Sequence, residues 1–361
     1  MEIVILLIFG VVGIVHLFGL WQKAMAIKSY RFEVSENRPS ISIIVCAHNE
    51  NDNLKALLPL LQNQQYESHE IIIVLDRCAD GSEEIVKKFQ NKNLAIITID
   101  EVVSNFHPKK RGITQAIEKA KGEWILLTDA DCRPTNQWIS EMAKGMHPKT
   151  DVVIGLSPYT KFGGILNLLI QYETFQTALQ FVSSASAGKP YMALGRNLAY
   201  RKSKFIEQNG FGVHSQVMGG DDDLFVQSIL TKDNFRIVLA PESWVESIPK
   251  TSGSAYFRQK TRHFSVGKHY PDWVKSKESI RWAIHIVFWI LFFFSFAINP
   301  FIGVSILATV LWIKGISFNI VAKRLGKRFN PIWLPFVDLL YVVILPLLSL
   351  RSLLVKNSTW K

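Results

Sequence analysis

Apolar residues are arranged along this chain in three different ways. Residues 3–21, IVILLIFGVVGIVHLFGLW, form one apolar run about as long as a bilayer crossing. Between residues 40 and 275 the apolar runs shorten to strand length and alternate with polar stretches of helical spacing. SISIIVCAH, EIIIVLD, LAIITI and WILLTDAD read as buried strands. Residues 52–64 and the segment DGSEEIVKKFQ carry helical spacing between them. Strands alternating with helices predict βαβ units and a parallel sheet. Pro158 and Gly163-Gly164 break the pattern, and an amphipathic stretch then runs to about residue 182. From Arg281 the chain is apolar again, over 282–298, 301–320 and 332–350.

The apolar ends predict membrane segments. Ala24-Met25-Ala26 after the first run resembles a signal-peptidase site. Signal peptides begin with positive charge, however, and the residues before this run carry Glu2 and no cation. Lys23, Lys28 and Arg31 follow the run, and Trp21 suits the interface. Residues 1–22 are therefore expected to be an uncleaved anchor with its N-terminus outside and its C-terminal end in the cytoplasm. At the other end, Asn299-Pro300 separates two stretches that together far exceed one crossing, which predicts a hairpin rather than one kinked helix. The stretch 332–350 is interrupted by Pro335, Asp338 and Pro346 and could be re-entrant or interfacial, so the region 282–350 holds two or three spans. The basic residues Lys323, Arg324, Lys327 and Arg328 fall on the same side as the 40–275 body.

Net charge is +11. Nucleic-acid binding would place cations and aromatics as a stripe on a polar domain. Here many cations flank apolar segments instead, which fits anionic lipid headgroups and excludes nucleic acid as the expected partner. The three cysteines, Cys46, Cys78 and Cys132, lack the spacing of a disulfide framework or zinc site and read as small buried side chains.

Four polar clusters fall in the body, three directly after strand runs, where open α/β sheets bind ligands. They are Ala47-His48-Asn49-Glu50, then Asp76 with Asp80-Gly81-Ser82, then Asp129-Ala130-Asp131, and finally Asp221-Asp222-Asp223 ahead of LFVQSIL. Carboxylates one residue apart on extended backbone point the same way, so Asp129 and Asp131 can address one hard cation such as Mg²⁺ or Mn²⁺. Each cluster also has a plain reading. Asp80-Gly81 is a common turn, and the aspartates at 221–223 can cap a helix at Leu224. Their order and placement together are more specific, because carboxylates gathered in one crevice repel each other without a cation.

The ordered set SIIVCAHNE, Asp76, HPKKRGITQAIEKAKGEWILLTDAD, GRNLAYRK, GGDDDLF and RQKTRH resembles glycosyltransferase family 2, the inverting GT-A group that includes cellulose, chitin and hyaluronan synthases. The resemblance implies an α/β fold: a GT-A nucleotide-sugar-binding (Rossmann-like) domain over 40–275, with the N-terminal transmembrane anchor and C-terminal transmembrane helices. It implies a UDP- or GDP-sugar donor held by Ala47, Asn49, Glu50, Asp76, Lys110, Asp129, Gly195, Arg196, Asn197, Gln259 and Arg262. The metal falls to Asp131 and Asp129. The catalytic base falls to Asp222 or Asp221, with Asp222 favoured because a preceding acidic residue is its usual company. The expected activity is inverting transfer of a sugar to a glycan or lipid-linked acceptor at the cytoplasmic face of a bacterial inner membrane. His263 stands where the synthases carry a tryptophan that stacks on the acceptor sugar, which argues against processive polymerisation. A processive polysaccharide synthase, and a non-enzymatic nucleotide-binding scaffold or transporter subunit, are the competing readings.

Overall fold

The computed structural model describes residues 2–101, 106–326 and 330–354. Lys327 and Arg328 of the expected basic loop lie outside the described residues. The chain divides into two compact units. One comprises Arg31–Lys161 and Ser184–Lys250; the other takes the chain up to Tyr30, Phe162–Ser183 and the chain from Thr251. Thus α6 (Ile165–Ser186) and the segment after Thr251 group largely with the apolar ends rather than with the rest of the 40–275 body.

The first unit is built on a seven-stranded sheet ordered β3-β2-β1-β4-β7-β6-β8. Its strands are β1 (Ile41–Ala47), β2 (His69–Asp76), β3 (Leu94–Ile99), β4 (Trp124–Asp129), β6 (Val152–Ile154), β7 (Leu198–Arg201) and β8 (Phe235–Ile237). Every residue of β1 is buried, as a central strand covered on both faces requires. Helices α2 (Asn51–Gln62), α3 (Ser82–Lys88) and α4 (Pro108–Lys119) follow the first three strands, and α5 (Trp138–Ala143) follows the short strand after β4. Gly122 lets the turn from α4 into β4 lie flat on β1. A Cβ there would stand 2.4 Å from the Ser42 nitrogen, and the Gly122 N–H donates to Ser42 Oγ at 2.8 Å.

The sheet is not wholly parallel, as the alternation of strands and helices predicts. β7 runs antiparallel to both β4 and β6. Its four residues, LAYR, are too short to show a strand period in the sequence. A second, two-stranded sheet pairs β5 (Cys132–Pro134) with β9 (Val245–Ser247). Helices α7 (Lys202–Glu207) and α8 (Asp223–Ile229) complete this unit. Because Cys46 pairs with Asp129, and Ala47 with Leu75, the ends of β1, β2 and β4 lie level. Ala47, Asp76 and Asp129 therefore share one edge of the sheet.

The second unit contains α1 (Glu2–Ser29), most of α6, α9 (Gly253–Val266), α10 (Asp272–Ile298), α11 (Pro300–Leu325) and α12 (Leu334–Leu354). Helices α1, α10, α11 and α12 are long and apolar enough to cross a membrane. Asn299 ends α10 in extended backbone and caps α11, its Oδ1 accepting the Ile302 N–H at 3.2 Å. This makes the expected hairpin, not a kink. Arg324 donates to the carbonyls of Ile27, Lys28 and Tyr30 and so closes the C-terminal end of α1. Asp338 is tolerated in α12 because it is buried and fully met. Lys314 and Tyr172 donate to its Oδ1, while His285 Nε2 and Trp289 Nε1 reach Oδ2 at 2.9 and 3.0 Å. That one carboxylate ties together α6, α10, α11 and α12.

Candidate active site

The loops after β1 and β2 are stitched to each other. Asn49 takes a left-handed conformation with φ 56°, and its Oδ1 accepts the Ala79 N–H at 2.8 Å. The Glu50 N–H donates to Ser82 Oγ at 3.1 Å, and the Asn51 N–H to Asp80 Oδ2 at 2.9 Å. A polar cavity of about 400 Å³ lies among Asn49, Glu50, Asn51, Asp52, Asn53 and Asp80. Asp76 is buried and held bidentately by Arg77, at 3.0 and 2.8 Å. His48 Nδ1 lies 2.6 Å from the Asp76 carbonyl, so that nitrogen carries the proton and donates.

The carboxylates of the next two clusters meet. Asp129 ends β4, and Lys109, in the first turn of α4, places its Nζ 3.1 Å from Asp129 Oδ1 and 2.8 Å from Asp221 Oδ2. Burial alone would pull the Lys109 pKa down, but Asp129 and Asp221 outweigh it and hold the ammonium well above its ordinary value. For Asp221 burial pushes upward, and Lys109 overcomes it to hold the carboxyl below the usual range. Among the described residues Asp131 has no such partner. Its Oδ1 accepts from Ser247 Oγ at 3.3 Å, and burial, then the charge of Asp129, push its pKa up.

Arg196 stands near Asp131 with its guanidinium carbon 4.4 Å from the centre of the Tyr159 ring. Its Nη1 is buried without a hydrogen-bond acceptor among the described residues. A buried guanidinium with an idle donor is suited to a bidentate anion such as phosphate.

The structure separates the two candidate bases. Asp221 faces Asp129 across Lys109. Asp222 is the N-cap of α8: its Oδ1 accepts the Asp223 N–H and its Oδ2 the Gly195 N–H, both at 2.8 Å. Burial, then neighbouring Asp221, raise the Asp222 pKa. Asp222, the base that the sequence favours, is thus tied to the cap and to Gly195, and Asp221 is the carboxylate beside Lys109. A carboxylate carrying the cap and the Gly195 loop is a strut, and the acidic neighbour that suggested Asp222 is the residue facing the site.

Two other expected donor ligands are engaged elsewhere. Asn197 is fully buried; its Nδ2 donates to the Leu156 and Ser243 carbonyls, both at 2.8 Å, and its Oδ1 accepts from Trp138 Nε1 at 2.9 Å. It knits β6, β7 and the turn before β9. Lys110 is likewise fully buried, with its ammonium on the carbonyls of His214 and Val217. Gln259 and Arg262 lie on α9, in the other unit. Among the described residues no three His, Cys, Asp or Glu side chains form a metal cluster.

Sequence reasoning passed over Lys109, Arg77, Ser247 and Tyr159. The helical spacing of α4 holds a signal for the first. Lys110, Ile113 and Ile117 share the apolar stripe, whereas Lys109, Gly112 and Ala116 share the small-residue side that faces the sheet. A Cβ at Gly112 would come 2.9 Å from Val74 on β2 and 3.5 Å from Cys46 on β1. The lysine one turn above Gly112 on that side is the one that reaches the ends of these strands.

Comparison with known proteins agrees with this geometry. The model described as "Glycosyl transferase family 2" matches residues 42–205, and that described as "Glycosyl transferase family group 2" matches residues 124–353, more than half of the chain. The chain is 26% identical to glycosyltransferase AglE of Haloferax volcanii, over 70% of this chain and 80% of AglE. It is 25% identical to the probable glycosyltransferase YdaM of Bacillus subtilis, over 76% of this chain and 71% of YdaM. Among solved structures it is similar in fold to the Pyrobaculum calidifontis mannosyltransferase PcManGT, with a TM-score of 0.58 at 16% identity, covering 99% of this chain and 100% of PcManGT. With a GT-A-like α/β sheet, acidic residues gathered at its strand ends and these matches, the chain belongs to glycosyltransferase family 2 and is a glycosyltransferase.

Proposed function

We propose that this protein moves a sugar from a nucleoside diphosphate sugar to a hydroxyl of a glycan or lipid-linked acceptor, with inversion at the anomeric carbon. The observation that carries this reading is the convergence of Asp129 and Asp221 on Lys109, with Asp131 beside Asp129 and near Arg196. PcManGT is described in complex with GDP-Man and Mn²⁺, which supports a nucleotide donor and a divalent cation for the same fold.

Asp131 and Asp129 fit a divalent cation. Asp131 is a half-buried carboxylate whose ionised form is disfavoured by desolvation and by Asp129, a strain that a hard cation relieves. When bound, Mg²⁺ or Mn²⁺ supplies positive charge to the diphosphate leaving group. Arg196 adds its free donor to the same anion, and Asn49, Glu50 and Asp76 border the nucleoside side. Asp221, ionised at neutral pH, takes the proton of the acceptor hydroxyl as that oxygen attacks. Lys109 keeps Asp221 charged and fixed beside Asp129.

Lys23, Lys28 and Arg31, which follow the first apolar run, support a cytoplasmic first unit by the positive-inside rule. With four candidate spans, transfer of single sugars is favoured over polymer extrusion. The test is a panel of UDP- and GDP-sugars with Mn²⁺ and detergent-purified protein, following nucleoside diphosphate release. Turnover of one donor that disappears in Asp131→Asn supports the reading. Thermal stabilisation by UDP or GDP without turnover of any donor would point instead to a binding module.

A further inference from the structure

We propose that Lys110 is a positioning residue that holds the segment 211–220 in the shape that presents Asp221. This inference rests on the reading of Asp221 as the base. Lys110 is fully buried, yet it forms no ion pair among the described residues. Its ammonium donates to the His214 carbonyl at 2.6 Å and to the Val217 carbonyl at 3.0 Å, and lies 5.5 Å from the centre of the Phe211 ring. An ammonium has three donors. Two are fixed on carbonyls, the Phe211 ring lies against the group, and solvent does not reach it. At most one donor of this ammonium is left, and it is closed off from solvent and so from a donor diphosphate. All three contacts lie on one short segment, and the His107 N–H grips the same segment through the Ser215 carbonyl at 3.0 Å.

That segment needs external support. It contains a single 3₁₀ turn, Gly212–His214, and Val213 at that turn is 90% exposed. It is flanked by glycines with positive φ: Gly210 at 71° and Gly212 at 48° on one side, Gly219 at 80° and Gly220 at 68° on the other. These positions turn the chain sharply and resist bending little. At Gly220 a side chain would be strained, because φ is 68° and a Cβ would stand 2.6 Å from Leu224 Cδ1. The next residue is Asp221. The Val217 carbonyl held by Lys110 is thus four residues from the base, with two glycines between them. Adjacent positions on α4 divide the work: Lys109 binds the Asp221 carboxylate, and Lys110 holds the backbone that delivers it.

The experiment compares Lys110→Met, which keeps the aliphatic stem and removes the donors, with Lys110→Arg and with Asp221→Asn, all as full chain in detergent. With the donor found by the panel, Lys110→Met is expected to lower kcat by about tenfold or more and to leave KM for the donor within about twofold. The dissociation constant for the nucleoside diphosphate with Mn²⁺ stays unchanged. Lys110→Arg, retaining charge and donors, recovers part of the lost kcat. Hydrogen exchange accelerates in peptides covering 211–220 and not in β1 or β4, a readout that still decides the matter if Lys110→Met is too unstable for kinetics. Loss of nucleotide binding with kcat unchanged would make Lys110 a phosphate ligand and overturn the inference, as would unchanged kcat and exchange. Full turnover in Asp221→Asn would instead overturn the reading on which it rests.

Discussion

Replacing Lys109 by methionine removes one ammonium and leaves its stem. In the wild-type protein that ammonium is 3.1 Å from Asp129 and 2.8 Å from Asp221, with its side chain 19% exposed and that of Asp221 9% exposed. At an effective dielectric near 20 each contact carries about 5 kcal/mol of gross attraction, most of it offset by desolvation of the three charges. The cost of leaving a buried charge unpaired is the better guide, about 3–5 kcal/mol. The change therefore lowers the melting midpoint by about 6–10 °C, read by tryptophan fluorescence at pH 7 without added metal. The sign with pH follows from Asp221. Its folded pKa is depressed, so its contribution is present above the unfolded carboxylate pKa and lost as pH falls through the folded value. The deficit of Lys109→Met should therefore be largest near neutrality and shrink on acidification. The variant also leaves Asp129, Asp131 and Asp221 with one more net negative charge, so Mn²⁺ raises its midpoint by more than it raises that of the wild type. Asp221→Asn in the same background should recover about half of the loss. An unchanged midpoint with an unchanged Mn²⁺ response would refute the bridging role.

Further expectations follow from single residues. In metal-free buffer at pH 7, Asp131→Asn should melt slightly above the wild type and lose the midpoint rise on adding Mn²⁺. Its raised carboxyl weakens the fold as pH climbs through the carboxylate range, and the amide carries no such charge. Asn197→Ala leaves Trp138 Nε1 and the carbonyls of Leu156 and Ser243 unpaired inside the protein. It should cost about 3 kcal/mol in thermal unfolding, with donor KM unaltered in the folded fraction. Lys314→Met strips one ion pair from buried Asp338. It should lower the detergent-solubilised melting midpoint by several degrees, and pairing it with Asp338→Asn should restore part of that loss, because the amide carries no charge and keeps one oxygen for the donors of Tyr172, His285 and Trp289.

Much of this was legible in the sequence because the fold's determinants are local. The buried runs IIIVL and WILL are strands wherever they occur, and the apolar lengths at either end fix the candidate spans. Asn299-Pro300 was decisive because a cap and a proline at the first helical position act through their own backbone. The strand ends were legible for the same reason: a carboxylate that follows a buried strand emerges at the sheet edge. Direction was not legible. LAYR is too short to carry a period, so the antiparallel β7 came only from the register with β4. Partners distant in sequence were hidden as well. Asn197 meets Trp138, Leu156 and Ser243, and Lys110 meets residues 104 and 107 positions later, which no spacing announces. The reach of Lys109, next to the Lys110 that the motif singles out, needed the helix phase, and the different contacts of Asp221 and Asp222 needed the cap geometry. Asp338 looked like a defect in a span, and became a hub once α6, α10 and α11 brought Tyr172, His285, Trp289 and Lys314 to it.

The most direct test of the account is the rate of nucleoside diphosphate release from the active donor, compared between Asp221→Asn and Asp222→Asn at saturating Mn²⁺. Removing a general base costs about 10²–10⁴-fold in rate, so Asp221→Asn should fall by that factor while still binding nucleotide. Asp222→Asn, which loses charge at a cap and at Gly195, should fold less stably and retain the larger part of its turnover per folded molecule. The reverse order, or full turnover in both, would contradict the proposed role of Asp221, which faces Asp129 across Lys109.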